Sequence, residues 1–298
     1  MAANVFMSAS YGEGSHFLAA SAIGRSLVDR GHNVTFLIGK AFAHRALDPK
    51  YSMFSFEIFN HSVPEEEVRE TFAGLNNIAF EKGTDQLLKM IDIMLHRQVD
   101  DCLLLLADTN LIQRLETIEA FVVDIAWECA FHLKALLDKN RPMPKHITMV
   151  ATTPTPGWSA FFQLAGSDFS IASQPELMTG FSDRMTFLQR VMNLVQYVIM
   201  RAIVNFSYVR RFEEIAKGKG FRSSYSPFYG ISECDLFLFG ADMSSDFPIP
   251  LSPNLIRVGG LTVTPAAALD KASSRVRFCT RWNGWSDYVQ HIKRIHTA

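Results

Sequence analysis

No Cys-x-x-Cys pair occurs among the four cysteines of this 298-residue chain, Cys102, Cys129, Cys234 and Cys279. The spacing argues against a structural zinc site. Four scattered cysteines in a chain of this length do not form a disulfide scaffold, so buried free thiols are expected. Charge of one sign is also missing. The formal net charge of -1 excludes the basic field of a nucleic-acid binder. No run reaches the roughly 20 mostly apolar residues of a spanning helix. The longest candidate, Val191 to Met200, is closed by Arg190 and Arg201 and contains Asn193 and Gln196. Met1-Ala2-Ala3 runs directly into Asn4-Val5-Phe6-Met7, without a basic n-region or an adequate apolar h-region, so no signal peptide is expected. Gly-x-Ser-x-Gly, Walker A and His-Glu-x-x-His patterns are absent. His132, His146, His291 and His296 have no metal-site spacing, and no metal or cofactor is expected.

What remains is an ordinary globular balance. Hydrophobic residues make up 48% and charged residues 20%, enough for a sizeable core. The 24 phenylalanines suit a core, and equally an apolar ligand cleft. Asn4 to Ser10 reads as a buried strand and Gly12-Glu13-Gly14 as a turn. Ser15 offers an N-cap hydroxyl for a helix from His16 to Arg30, with Ala20, Ile23 and Leu27 on its inner face. Gly31 ends that helix and Val34 to Ile38 is the next strand, making a parallel β-α-β unit.

A third strand is expected at 54–59, then helices over 65–80 and 84–107, the second with Leu87, Met90, Ile91, Met94 and Leu95 on its apolar face. Phe121 to Asp124 is a short strand, followed by a helix over 129–138 and a strand over 147–151. This alternation predicts an α/β fold, a Rossmann-like, mostly parallel sheet flanked by helices. Residues 152–180 read as loop, 185–217 as a long apolar-rich helical region, and 235–239 as a late strand; the pattern dissolves beyond Thr264.

His16 lies at the start of the helix after the first strand. In open α/β sheets, ligands bind at the carboxyl ends of strands, which is where it falls. The helix dipole there disfavours imidazolium, and the neutral ring is the form that accepts a proton. The alternative is a surface histidine at a helix start. Asp124 also ends a strand, on the same edge of the sheet. Its carboxylate can accept the His16 ring N–H, fix the tautomer and stabilise the imidazolium. The alternative is an N-cap for the helix that follows.

Gly12-Glu13-Gly14-Ser15-His16-Phe17 is a partial dinucleotide fingerprint with Phe17 in place of the third glycine, too weak to assign a nicotinamide or flavin. Between Met185 and Tyr208 an apolar series is flanked or interrupted by Arg184, Arg190, Arg201, Arg210 and Arg211. A core helix accounts for this pattern. A helix that leans on a membrane or lines an apolar acceptor cleft is the alternative.

Four segments carry a family resemblance: Gly14-Ser15-His16-Phe17 with Gly31-His32-Asn33-Val34-Thr35; Cys102-Leu103-Leu104 through Phe121-Val122-Val123-Asp124 to Cys129; Ser182 to Arg190 with Asn193; and Pro253 to Gly260. In this order the sequence resembles the animal UDP-glucuronosyltransferases, within the two-domain GT-B glycosyltransferases. The resemblance implies the N-terminal, acceptor-binding half of that fold over residues 1–264, with 265–298 as an irregular tail and the donor domain absent. It implies that His16 is the base and Asp124 its partner. A hexosyl group would pass from a UDP-sugar co-substrate to a hydroxyl of a small lipophilic acceptor, with inversion.

Because the diphosphate needs electrostatic stabilisation from the donor half, the isolated chain is expected to be inactive. A non-catalytic form that binds lipophilic acceptors or modulates a full-length partner is the other reading. Expected partners are the lipophilic acceptor, UDP-sugar once a donor domain is present, related chains in an oligomer, and a membrane surface, with no nucleic acid. The resemblance implies the endoplasmic reticulum membrane or lumen. The ends of the chain as read imply the cytoplasm.

Overall fold

The computed structural model describes residues 2–80, 97–125, 127, 129–140, 147–153, 163, 165–167, 170–176, 179–203, 206, 210–220, 227–240 and 250–263. The chain divides into Met1–Thr262 and Val263–Ala298, and every element described belongs to the first unit. The expected boundary at 264 and the tail beyond it lie outside the described residues.

The strands are β1 (Asn4–Ser8), β2 (Asn33–Gly39), β3 (Ser55–Phe59), β4 (Ala120–Asp124), β5 (Thr148–Thr153), β6 (Leu236–Phe239) and β7 (Leu255–Arg257). Helices α1 (Gly14–Val28), α2 (Glu65–Phe80), α3 (97–107), α4 (Thr109–Arg114) and α5 (Cys129–Asn140) connect the first five strands. Helices α6 (Phe187–Ile203), α7 (Arg210–Gly218) and α8 (Pro227–Ser232) follow. The side-chain pattern Leu87 to Leu95 falls outside the described residues.

Among the described residues the seven strands are all parallel, in the order β3-β2-β1-β4-β5-β6-β7. The α/β expectation therefore holds. The runs Phe6-Met7 and Phe121-Val122-Val123 are nearly or wholly buried, as central strands covered on both faces require. One core cluster joins Phe6, Leu37 and Phe121 to α5, α7 and β6. The other packs Ala20, with Ile23 and Leu27 against it, onto Met7, Phe36 and Phe54.

Helix α1 begins earlier than its Ser15 predicts. Its N-cap is Glu13, with no side-chain cap bond. Gly12 at φ 93° and Gly14 at φ 55° give the chain a tight entry that brings the first helical bond, Phe17 N–H to Glu13 O, forward. A Cβ on Gly12 would lie 2.7 Å from Ile38 Cγ2, so the glycine also permits close contact with β2. The other end is as expected: Gly31 has φ 84°, and the His32 N–H reaches back to Leu27 O.

Two expectations fail. Cys102 and Cys129 form a disulfide across 27 residues, and Cys234 is a buried free thiol, pushed up to about 12 chiefly by burial. The pairing was invisible because α3 and the start of α5 meet only in three dimensions. Cys279 lies outside the described residues. The core-helix reading of Met185 to Tyr208 is also wrong. Within α6, Asn193 and Met200 are buried, while Phe187, Leu188, Val191, Val195 and Val198 are exposed. The inward face carries Asn193, Gln196 and Tyr197 beside Met200. Asn193 Nδ2 donates to Ile171 O and Gln174 O, and its Oδ1 accepts the Glu176 N–H. Tyr197 Oη and Arg201 both donate to Gln163 Oε1.

The Cys102–Cys129 bridge closes a loop large enough to contribute about 3–4 kcal/mol by chain-entropy arguments. A Cys102→Ser, Cys129→Ser double variant is expected to lose roughly that much in urea unfolding of the oxidised protein. Reductant should destabilise the native chain and leave the variant unchanged.

Candidate active site

The chain winds outward from β1 through β2 to β3, then returns to place β4 on the other side of β1. Such a reversal opens a crevice at the carboxyl ends of the two central strands. His16, in the first turn of α1, follows β1. Asp124 is the last residue of β4. Register places Ser8 beside Val123, one residue short of Asp124.

His16 Nδ1 is hydrogen-bonded to Asp124 Oδ2. The structure thus brings together the two site residues singled out from sequence. Asp124 is not an N-cap, because α5 starts only at Cys129. Nor is His16 a plain surface histidine. Its side chain is 33% exposed, while the carboxylate it meets is 3% exposed. The bond commits Nδ1–H to the carboxylate and leaves Nε2 as the proton-accepting nitrogen of the neutral ring.

Burial pulls the His16 pKa down, but the charge of Asp124, its hydrogen bond and the more distant Glu13 outweigh burial, so the net shift is upward. The helix dipole by itself acts in the opposite direction. The adjacent carboxylate overrides it.

The loop carrying Asp124 is firmly seated. Ile125 N–H donates to Thr152 O, and Trp127 N–H to Asp124 O. The buried Trp127 ring stacks on Phe59 at 5.6 Å. The disulfide then ties the start of α5 to α3. Next to Ile125, a small void within the buried core, about 20 Å³, is lined by Ala151, Thr153, Ala165, Phe237 and Phe239.

A second His–Asp pair escaped the sequence reading. His61 Nδ1 lies 2.9 Å from Asp101 Oδ2, and both side chains are sealed from solvent. Ser62 donates to Asp101 Oδ1 from its backbone N–H at 2.6 Å and its hydroxyl at 2.7 Å. His61 Nε2 accepts the Ala41 N–H at 3.3 Å. Burial raises the Asp101 pKa, but the bonds from His61 and Ser62 outweigh it and the net shift is downward. With both ring nitrogens engaged, this pair fastens the end of β3 to α3 and has no nitrogen to offer a substrate. The His61 ring fills the place of a Gly39 side chain, and the Tyr11 ring packs on it at 5.4 Å. No motif marked this pair, because its members come from separate elements. Among the described residues no group of His, Cys, Asp or Glu could hold a metal ion.

The family model described as UDP-glucoronosyl and UDP-glucosyl transferase matches residues 6–278. The 2-hydroxyacylsphingosine 1-beta-galactosyltransferase of Rattus norvegicus is 26% identical over 266 residues, covering 88% of this chain and 46% of the relative. UDP-glucuronosyltransferase 1A5 of Rattus norvegicus is 27% identical over 265 residues, covering 84% and 46%. The chain thus spans about half the length of the curated relatives it matches. Among solved structures, the spinosyn forosaminyltransferase SpnP overlaps 91% of this chain and 54% of its own, at 12% identity and a TM-score of 0.48.

Replacing Asp124 by Asn leaves burial as the dominant influence on His16. The His16 titration midpoint, followed by NMR, is expected above the ordinary value of about 6.5 in the native chain and below it in Asp124→Asn. The sign also sets a stability window. A raised folded pKa contributes stability that is present below the unfolded value and lost as pH rises through the folded one. Asp124→Asn should reverse that dependence, because the folded midpoint then lies below the unfolded one. An equal midpoint in both proteins would refute the coupling.

Proposed function

We propose, on the premise that this chain belongs to the UDP-glucoronosyl and UDP-glucosyl transferase family, that His16 is the base and Asp124 its partner in sugar transfer from a UDP-sugar. The hydrogen bond from His16 Nδ1 to the buried Asp124 carboxylate carries this reading. Nε2 takes the proton of an acceptor hydroxyl, and the oxygen forms a bond to the anomeric carbon from the face opposite the leaving group. The bond from that carbon to the diphosphate breaks, UDP leaves with the electron pair, and the configuration inverts. Asp124 stabilises the imidazolium that results. The developing charge on UDP needs donors beyond this pair. UDP-sugar is a co-substrate in this scheme, and no other cofactor enters it.

The acceptor is a small lipophilic molecule bearing a hydroxyl. The 2-hydroxyacylsphingosine 1-beta-galactosyltransferase among the relatives this chain matches supports this. The Cys102–Cys129 disulfide supports an oxidising compartment, in keeping with the lumen of the endoplasmic reticulum.

Glycoside formation from a UDP-sugar and a simple phenol, followed by mass spectrometry in a protein that joins this chain to a relative's donor half, tests the assignment. His16→Ala should lower turnover by about 10²- to 10⁴-fold. Unaltered turnover would remove His16 from the chemistry. Phenol binding by calorimetry, with no transfer while His16 is intact, would favour an acceptor-binding protein.

We also propose that α6 rests on a membrane surface. Its exposed face is apolar along its length, and Arg184, Arg190, Arg201 and Arg210 are exposed around it. That combination suits insertion at an anionic headgroup boundary. No helix among the described residues is long and apolar enough to cross a membrane. Flotation with phosphatidylserine-containing vesicles is expected to carry the protein, and Val195→Asp with Val198→Asp to abolish it. Equal flotation, or a dimer in sedimentation with no vesicle binding, would overturn the proposal.

A further inference from the structure

We propose that Arg45 is a positioning residue that holds His16 against Asp124, an inference resting on the reading of that pair as base and partner. The loop between β1 and His16 is conformationally expensive. Ser10 at φ 51°, Gly12 at φ 93° and Gly14 at φ 55° all lie in the left-handed region. A non-glycine residue there costs about 1–3 kcal/mol and persists only where surrounding structure enforces it. Helix α1 does not enforce it, since Glu13 makes no side-chain cap bond.

Backbone bonds secure the near end of the loop. Gly12 N–H donates to Ala9 O at 2.9 Å, and Gly39 N–H to Tyr11 O at 2.8 Å. The far end is gripped by a side chain from the 3₁₀ segment Lys40–Leu47 that follows β2. Arg45 Nε donates to Gly12 O at 2.7 Å, and its guanidinium lies 4.5 Å from the centre of the Phe17 ring. Arg45 therefore touches the chain on both sides of His16. The hydrogen bond is charge-assisted and half-buried. Phe17 is fully buried against Phe36 and Tyr51, so the second contact is anchored in the core.

A displacement of about 1 Å in a reacting pair costs on the order of 10² in rate. Losing Arg45 frees the loop to move His16 by that amount without disturbing the sheet. The charged groups that act on the ring are Asp124 at the end of β4 and Glu13 on the entry to α1, while Arg45 meets the Gly12 carbonyl and the Phe17 ring. The electrostatic consequence has a diagnostic sign. Removing a nearby positive charge by itself favours imidazolium and raises the His16 midpoint. Losing the contact with Asp124 lowers it. Only the positioning role predicts a fall.

The experiment is NMR titration of His16 in the full chain carrying Arg45→Ala, Arg45→Met or Arg45→Lys, with the buried His61 and His132 resonances reporting an intact fold. The Ala and Met variants are expected to lower the His16 midpoint, and Lys, which keeps a donor, to restore most of it. The Met variant keeps an apolar stem over Phe17 and serves if Ala does not fold. A midpoint unchanged or raised in a folded Ala or Met variant would overturn the proposal. The readout needs no sugar transfer. If His16→Ala left transfer intact, the catalytic reading would fall while the titration still decided the role of Arg45.

Discussion

The hydrogen bond between His16 and Asp124 depends on β1 and β4 being neighbours. The two residues are 108 positions apart, and only the reversal of strand order at β1 brings their loops to one crevice. A carboxylate as buried as Asp124 loses most of its hydration and needs donors in return. His16 supplies one, so the same contact that satisfies the carboxylate also selects the imidazole tautomer. Trp127 on Phe59 and the Cys102–Cys129 bridge keep the Asp124 loop from moving away. The two sides of the crevice are thus held by different means. One is fixed by aromatic packing and a covalent link, the other by backbone bonds and Arg45.

The two His–Asp pairs show that residue identity does not make a site. His61 and Asp101 have the same chemistry as His16 and Asp124, and are more deeply buried. What separates them is the second ring nitrogen. In His61 it accepts the Ala41 N–H, which completes a sealed joint between β2, β3 and α3. In His16 the ring is one-third exposed, and the crevice gives Nε2 somewhere to work. The sealed pair still serves the open one. Its ring packs on Tyr11, whose carbonyl accepts the Gly39 N–H, and so it braces the loop that leads to His16.

Much of this was legible in sequence, for local reasons. The strand–glycine–helix pattern from Asn4 to Arg30 is written in neighbouring residues, and so is the apolar run ending at Asp124. Placing both candidates on one edge of the sheet needed only parallel strands and right-handed connections. What was not legible depends on distant partners. The disulfide and the His61–Asp101 joint have no shared local signature. The short β7 strand is three residues long and exists because β6 offers it an edge. The direction of the His16 shift needed the distance to Asp124, which helix position alone cannot supply.

Helix α6 shows the limit of pattern reading most clearly. Its apolar period is correct for a core helix, and periodicity does not say which face turns inward. Asn193 decides the matter. Its amide donates to two carbonyls and accepts one N–H, fastening the helix to residues 171–176. Three hydrogen bonds to backbone, two buried and one half-buried, are stringent in geometry, and each buried backbone group left unmatched would carry a desolvation penalty of about 1–3 kcal/mol. The Gln163 contacts of Tyr197 and Arg201 lie on neighbouring positions of the same face. With orientation set by these polar contacts, Val191, Val195 and Val198 are left exposed. The apolar face is a consequence of where the polar face is needed, and it leaves the helix able to meet an apolar medium without giving up its hold on the domain.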